Sequence, residues 1–182
     1  MEMTGAQIIP ALQAEVWRGL NDPEILKACI SGCESIEKLT GTEYAIVTTA
    51  AIGPVKAKFR GKLLLADLDP PNSYSLSFDG QGGAAGFAKG SAKVSLTTEA
   101  AGTRLSYTVK AQVGGKLAQI GSRLIDGVAK KLADDFFAAF NQKMAGPAPV
   151  AAEPSAEAAP GAAPLWWVVG IIAAMFLLAR LS

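Results

Sequence analysis

From Val55 to Leu65 the chain alternates. Val55, Ala57, Phe59, Gly61, Leu63 and Leu65 fall on one side of an extended strand, and Lys56, Lys58, Arg60 and Lys62 fall on the other. The same period of two recurs downstream. Tyr74, Leu76 and Phe78 alternate with Ser73, Ser75, Ser77 and Asp79, while Leu105, Tyr107, Val109, Ala111 and Val113 alternate with Arg104, Ser106, Thr108, Lys110 and Gln112. Tyr44–Ile52, Gly90–Leu96 and Ser35–Leu39 complete the set, with turns at Asp69-Pro70-Pro71-Asn72 and Ala101-Gly102. A short apolar strand at Thr4–Ile9 precedes them. The pattern predicts an antiparallel sheet of about seven strands, apolar on one face and wetted on the other.

Two kinds of helix interrupt this pattern. Pro10 suits the first turn of a helix that carries Leu12, Val16 and Leu20 on one side. Asp22 then caps a second short helix that begins at Pro23 and turns Ile25, Leu26 and Cys29 inward. After Gly114-Gly115, Lys116–Met144 reads as one long helix, about 43 Å at 1.5 Å per residue. Leu117, Ile120, Leu124, Val128, Leu132, Phe136 and Phe140 recur on it at intervals of three and four. Such a helix can cross the apolar face of the sheet, which makes an α+β cup with a gripping lid.

Composition narrows the chemistry. The 182 residues contain no histidine, which removes the commonest general base, the commonest metal ligand and every Ser/His or Cys/His nucleophilic pair. The two cysteines stand as Cys29-Ile30-Ser31-Gly32-Cys33, with no further Cys or His to complete a zinc site. They read as two small thiols near a helix end, and no metal is expected. The net charge of +1 gives no global pull toward nucleic acid. Met1-Glu2-Met3-Thr4 lacks the basic and apolar regions of a secretory leader, so the domain is expected to start in the cytosol.

The stretch "GQGGAAGFAKGSA", Gly80–Ala92, fits the spacing G-x-G-x-x-A and follows a strand, with Glu99 further on. A dinucleotide fingerprint needs a helix to open directly after the turn. Here Gly86 and Gly90 follow, and Lys89–Thr97 returns to alternation, so the nucleotide reading fails. The expectation is a mobile hairpin at a sheet end, with Gly80, Gly82, Gly83 and Gly86 at the mouth of the cup and Phe87 pointing inward as a plug.

The composition changes at Gly146, so residues 1–145 are expected to be the folded domain. Residues 146–164, "GPAPVAAEPSAEAAPGAAP", hold five prolines and eight alanines and read as a semi-stiff linker. Residues 165–182 open with an uncharged run from Leu165 to Ala179, closed by Arg180. With Trp166 and Trp167 at a headgroup boundary, this run is expected to anchor the chain in a membrane as a C-terminal helix. The domain is placed on the cytoplasmic face.

Three runs carry a family resemblance: "DPEILKACISGCESIEKL", "GPVKAKFRGKLLLADLDPPNSYSLSFDGQGGAAGFAKGSA" and "TRLSYTVKAQVGGKLAQIGSRLIDGVAKKLADDFF". Together they resemble the carbon monoxide dehydrogenase G-subunit family of the START/polyketide-cyclase helix-grip superfamily, over about residues 1–140. Ser31 departs from a usual proline in that family and touches only a turn. The resemblance implies a helix-grip fold and a non-catalytic accessory of a molybdenum CO dehydrogenase or related hydroxylase. It also implies attachment to membrane lipid and a cavity that accepts a respiratory quinone, menaquinone or ubiquinone. The metals and flavin belong to the partner subunits, and no nucleic acid is implied.

Cavity-wall candidates from the inward positions are Trp17, Phe59, Leu63, Leu65, Tyr74 and Phe78, then Phe87, Tyr107, Leu117, Ile120 and Leu124. Tyr74 and Tyr107 offer an O–H to a ligand carbonyl. The basic stripe Lys56, Lys58, Arg60 and Lys62 is either a solvated face or a dock for anionic headgroups or an acidic partner. Two other classes stay open: an adaptor with a filled core and only protein contacts, and a cyclase-like enzyme, for which no paired inward carboxylates stand out.

Overall fold

The computed structural model describes residues 1–146; the linker and anchor expectations, including Leu165, Trp166, Trp167 and Arg180, lie outside the described residues. Seven strands alternate with short helices in the order β1 (Glu2–Ile9), α1 (Gln13–Leu20), α2 (Pro23–Cys29), β2 (Cys33–Lys38), β3 (Glu43–Ile52), β4 (Val55–Asp69) and β5 (Ser73–Gln81). A 3-10 turn (Gly83–Ala85) leads to β6 (Phe87–Glu99), β7 (Gly102–Gly114), α3 (Lys116–Gln119) and α4 (Ser122–Met144). All pairings are antiparallel, in the spatial order β1-β7-β6-β5-β4-β3-β2.

This order has a simple cause. β2 to β7 form a meander of hairpins, each closed by a turn the sequence supplies. β1 pairs with β7 at the opposite edge from β2, so the chain must cross the sheet between β1 and β2, and α1 and α2 make that crossing. The junction between them is fixed by Asp22, whose carboxylate accepts from the backbone N–H of Glu24 at 2.8 Å and of Ile25 at 3.4 Å. A cap of this kind contributes about 1 kcal/mol. The expected Pro10 start of α1 is displaced. The helix opens at Gln13, where Glu15 accepts from the Leu12 N–H at 3.4 Å, and Leu12 itself stands 70% exposed.

The long helix is broken where one continuous rod was expected. Gly121 has φ +97, a conformation that glycine alone adopts without strain, and it separates the single turn of α3 from α4. The inner stripe of α4 also differs from the expected one. Ile125, Phe137 and Phe140 are buried, whereas Leu124 and Leu132 remain 43% and 40% exposed. The aromatic side chains win because they bury the most apolar surface against the sheet.

The apolar interior falls into two clusters. The larger joins Ile9 of β1, Val16 of α1, Cys29 of α2, Tyr74, Leu96 and Leu105 of the sheet, and Phe137 and Phe140 of α4. The smaller lies under α3 and consists of Phe59, Ala85 and Leu117, with Val113 and Ile120 packed against them. Cys29 is buried and Cys33 half-buried, both free, and burial pushes both thiols above their ordinary range.

Candidate ligand-binding cavity

Between the sheet, α2 and α4 the larger cluster leaves a cavity of about 270 Å³. Its floor comes from alternate residues of the strands, among them Leu63 and Leu65 of β4, Tyr74 and Leu76 of β5, Ala92 and Val94 of β6, and Leu105, Tyr107 and Val109 of β7. Register aligns them, since Leu65 pairs with Leu76, Leu76 with Ala92, Ala92 with Val109, and Val109 with Met3 of β1. The roof is Ala133, Phe136 and Phe137 of α4, with Leu26 and Ile30 at the α2 side. Ala92 in the floor and Ala133 in the roof are both small, and they leave space that larger side chains would fill.

Four of the wall candidates therefore meet in one place: Leu63, Leu65, Tyr74 and Tyr107. The others do not. Phe59, Leu117 and Ile120 belong to the separate cluster under α3. Trp17 stands behind Tyr74, edge-on at 5.5 Å between ring centroids. Phe78 leans across Gly90, where its ring would meet an added Cβ at 2.9 Å. Leu124 sits on the outside against the β3–β4 turn, where its Cδ2 atom crowds Gly53. Phe87 is a correction of side, because it shares the outer face of β6 with Lys89, whose ammonium lies 5.7 Å from the ring centroid. It is a surface residue with a cation against its ring, not a plug.

The glycine stretch is likewise more regular than expected. Gly80 lies inside β5, paired with Gly61 and Ala88, and the hairpin closes through the Gly82 N–H donating to the Gly86 carbonyl at 2.7 Å. Gly86 has φ +113, and a Cβ there would strike the Gly114 carbonyl. Gly83 has φ +58 with open space around it. Gly86→Ala is accordingly expected to cost about 2–3 kcal/mol, and Gly83→Asn less than about 1 kcal/mol, read as shifts of the urea midpoint. Equal shifts for the two would refute this account of the hairpin.

Polar groups are few in the cavity, and all the side-chain ones are phenols. Tyr44 of β3, absent from the expected set, is 2% exposed and donates its O–H to the Asn21 carbonyl at 3.1 Å. Its parity with Ile46 on the inner face of β3 is the available signal. Tyr107 stacks on Phe137 at 5.3 Å and crosses Gly5 of the edge strand. Burial and the Asp134 carboxylate raise its pKa, with Lys130 opposing, which places its phenol toward the Lys130–Asp134 pair on the flank of α4. Tyr74 is 6% exposed and its O–H makes no hydrogen bond to a described residue; the buried side-chain atom left without a partner among those residues is Asn141 Oδ1, not this oxygen. Burial first, and the neighbouring Tyr44 phenol second, push its pKa well above the ordinary tyrosine range.

The convex face carries a broader trough of about 1060 Å³, lined by Lys62, Asp79, Lys89 and Lys110 among others. Charges of both signs meet there. In the basic stripe, Lys58 pairs with Glu34 at 2.7 Å and Lys62 with Glu43 at 2.8 Å. Hydrogen bonds from Lys58 and Thr49 hold the Glu34 carboxyl below its usual range. Half of the stripe is thus neutralised, which leaves Lys56 and Arg60 outside any ion pair among the described residues. No group of three or more His, Cys, Asp or Glu side chains converges among the described residues, and no helix among them is long and apolar enough to cross a membrane.

Comparison with known proteins places this cup. A family model described as the G-subunit of carbon monoxide dehydrogenase (CoxG) matches residues 5–145. The chain belongs to the CoxG family. That membership points to an accessory role beside CO dehydrogenase. A crystal structure of a conserved protein from Geobacillus kaustophilus is 37% identical, with a TM-score of 0.75 over 80% of this chain and 95% of that one. Proteins from Thermus thermophilus (18% identity, TM-score 0.61, 79% of this chain and 97% of that one) and Mycobacterium smegmatis (17%, 0.58, 79% and 90%) share the helix-grip fold alone. No curated protein sequence matches the chain. In this CoxG member the sheet and α4 border apolar space.

Proposed function

We propose that this chain is a membrane-tethered accessory of a molybdenum CO dehydrogenase or a related hydroxylase. It recruits that enzyme to the cytoplasmic membrane and binds a respiratory quinone, menaquinone or ubiquinone, in its cavity to pass on electrons. The observation that carries the reading is the unfilled apolar space between α4 and the sheet. An adaptor working by protein contacts alone would have no use for it. Small-molecule sites run from about 300 to 1,000 Å³, so a volume of about 270 Å³ suits a ring system with little of a polyisoprenoid tail. The tail would emerge from the domain toward lipid. Support for the tether comes from the sequence, where the uncharged run Leu165–Ala179 follows the proline-rich segment.

The test is extraction of the full chain, purified from membranes, with organic solvent and identification of what is released by mass spectrometry. A quinone in near-stoichiometric amount is the expected result. A chain that releases none and fails to take up added quinone would overturn the ligand-carrying role.

A further inference from the structure

Among the described residues three phenols are the only polar side chains that line the cavity, and the structure treats them differently. The Tyr44 O–H is already given to the Asn21 carbonyl. The Tyr107 phenol is turned to the edge strand and to the Lys130–Asp134 pair, at the border of the cavity. Tyr74 alone is buried, borders the cavity and keeps a donor that no described residue accepts. Its oxygen is not among the fully buried atoms left without a partner, so it keeps access to open space and can donate to an occupant of the cavity it lines. Nothing in the ring's surroundings compels a phenol here. Trp17 packs on it edge-on, an arrangement that phenylalanine would satisfy equally.

Among the described residues the lining also contains no Lys, Arg, Asp or Glu. A carboxylate or phosphate drawn into it would lose its hydration without a counter-ion, a penalty of several kcal/mol. The cavity is therefore built against charged amphiphiles as much as for apolar ones.

We propose that Tyr74 is the recognition donor of the cavity, giving its O–H to a carbonyl or similar neutral acceptor on an uncharged, mostly apolar ligand, and that anionic lipids are excluded. This rests on the ligand-carrying reading above and specifies its chemistry. Tyr74 acts here as a specificity determinant, while Tyr44 and Tyr107 hold structure.

The test uses the full chain in phosphatidylcholine nanodiscs, with empty nanodiscs to subtract partitioning. Three probes are titrated: 2,3-dimethyl-1,4-naphthoquinone, its hydrocarbon counterpart 2,3-dimethylnaphthalene, and dodecanoate. Tyr74→Phe should weaken the naphthoquinone roughly fivefold, the weight of one neutral hydrogen bond, and leave the hydrocarbon unchanged. Dodecanoate should bind more weakly than the quinone. In the infrared, one carbonyl stretch of the quinone bound to the unaltered chain should lie below its free position, and Tyr74→Phe should restore it.

Equal quinone affinity in both chains, an unshifted carbonyl band in the unaltered chain, or dodecanoate binding as tightly as the quinone would overturn this inference and leave the ligand-carrying role standing. Failure of the unaltered chain to bind any probe would overturn both. Should Tyr74→Phe lose the hydrocarbon as well, its cavity has collapsed, and the infrared band of the unaltered chain decides alone.

Discussion

Replacing Ala133 with phenylalanine should abolish ligand uptake while the fold survives. Ala133 sits in the roof of the cavity, on the turn of α4 before Phe136 and Phe137. A ring placed there enters space that is already vacant. The overpacking cost of about 1–3 kcal/mol seen in filled cores should therefore shrink to less than about 1 kcal/mol. Affinity for 2,3-dimethyl-1,4-naphthoquinone should fall at least about tenfold, with the thermal midpoint almost unmoved. A variant that melts early and still binds would show that the space between α4 and the sheet is neither empty nor the binding site.

Phe140→Ala should have the opposite signature. Phe140 is fully buried, stacks on Phe136 at 5.7 Å with an interplanar angle of 12°, and lies against Gly19 of α1, where an added Cβ would meet its ring at 3.2 Å. Truncating such a side chain costs about 3–5 kcal/mol, against a total stability of about 5–15 kcal/mol for a domain. The melting midpoint should drop by roughly 10 °C or more. Calorimetry or circular dichroism reads this directly. A loss of less than about 2 °C would mean that α4 is not seated on α1 as described.

How far the sequence reveals this molecule depends on which physical signal each residue carries. The strands are legible because a half-buried antiparallel sheet writes its period of two into the side chains, and β4 does so over Val55–Leu65 with one apolar exception on the wet face, Leu64. The Asp22 cap and the Pro23 start of α2 are legible for a similarly local reason. The inward stripe of α4 is harder. Phe140 of the expected row is buried, but Leu124 and Leu132 of that row are not and Ile125 and Phe137 beside it are, and only the tertiary position of the sheet decides between them. The break at Gly121 hides inside an otherwise helical pattern, because a glycine's φ is not written in its neighbours.

Site residues divide along the same line. Leu63, Leu65, Tyr74 and Tyr107 follow from parity, which the cavity floor obeys. Phe87 misleads because its aromatic character draws more weight than its spacing from Lys89, which puts it on the wet face. Phe59, Leu117 and Ile120 point inward as expected but into a second, filled cluster. No local rule separates a packed end of a cup from a hollow one, since that depends on the distance between layers.

The first strand has a consequence for synthesis. β1 bonds only to β7, and the Met1 amino group reaches the Ala111 carbonyl at 2.8 Å, across 110 positions of chain. Met3 contributes part of the cavity wall from that strand. The opening residues must therefore wait, unpaired, until nearly the whole domain has left the ribosome, and such distant partners meet slowly. A chain still missing β7 therefore lacks both the partner of β1 and the part of the cavity wall that these two strands build together.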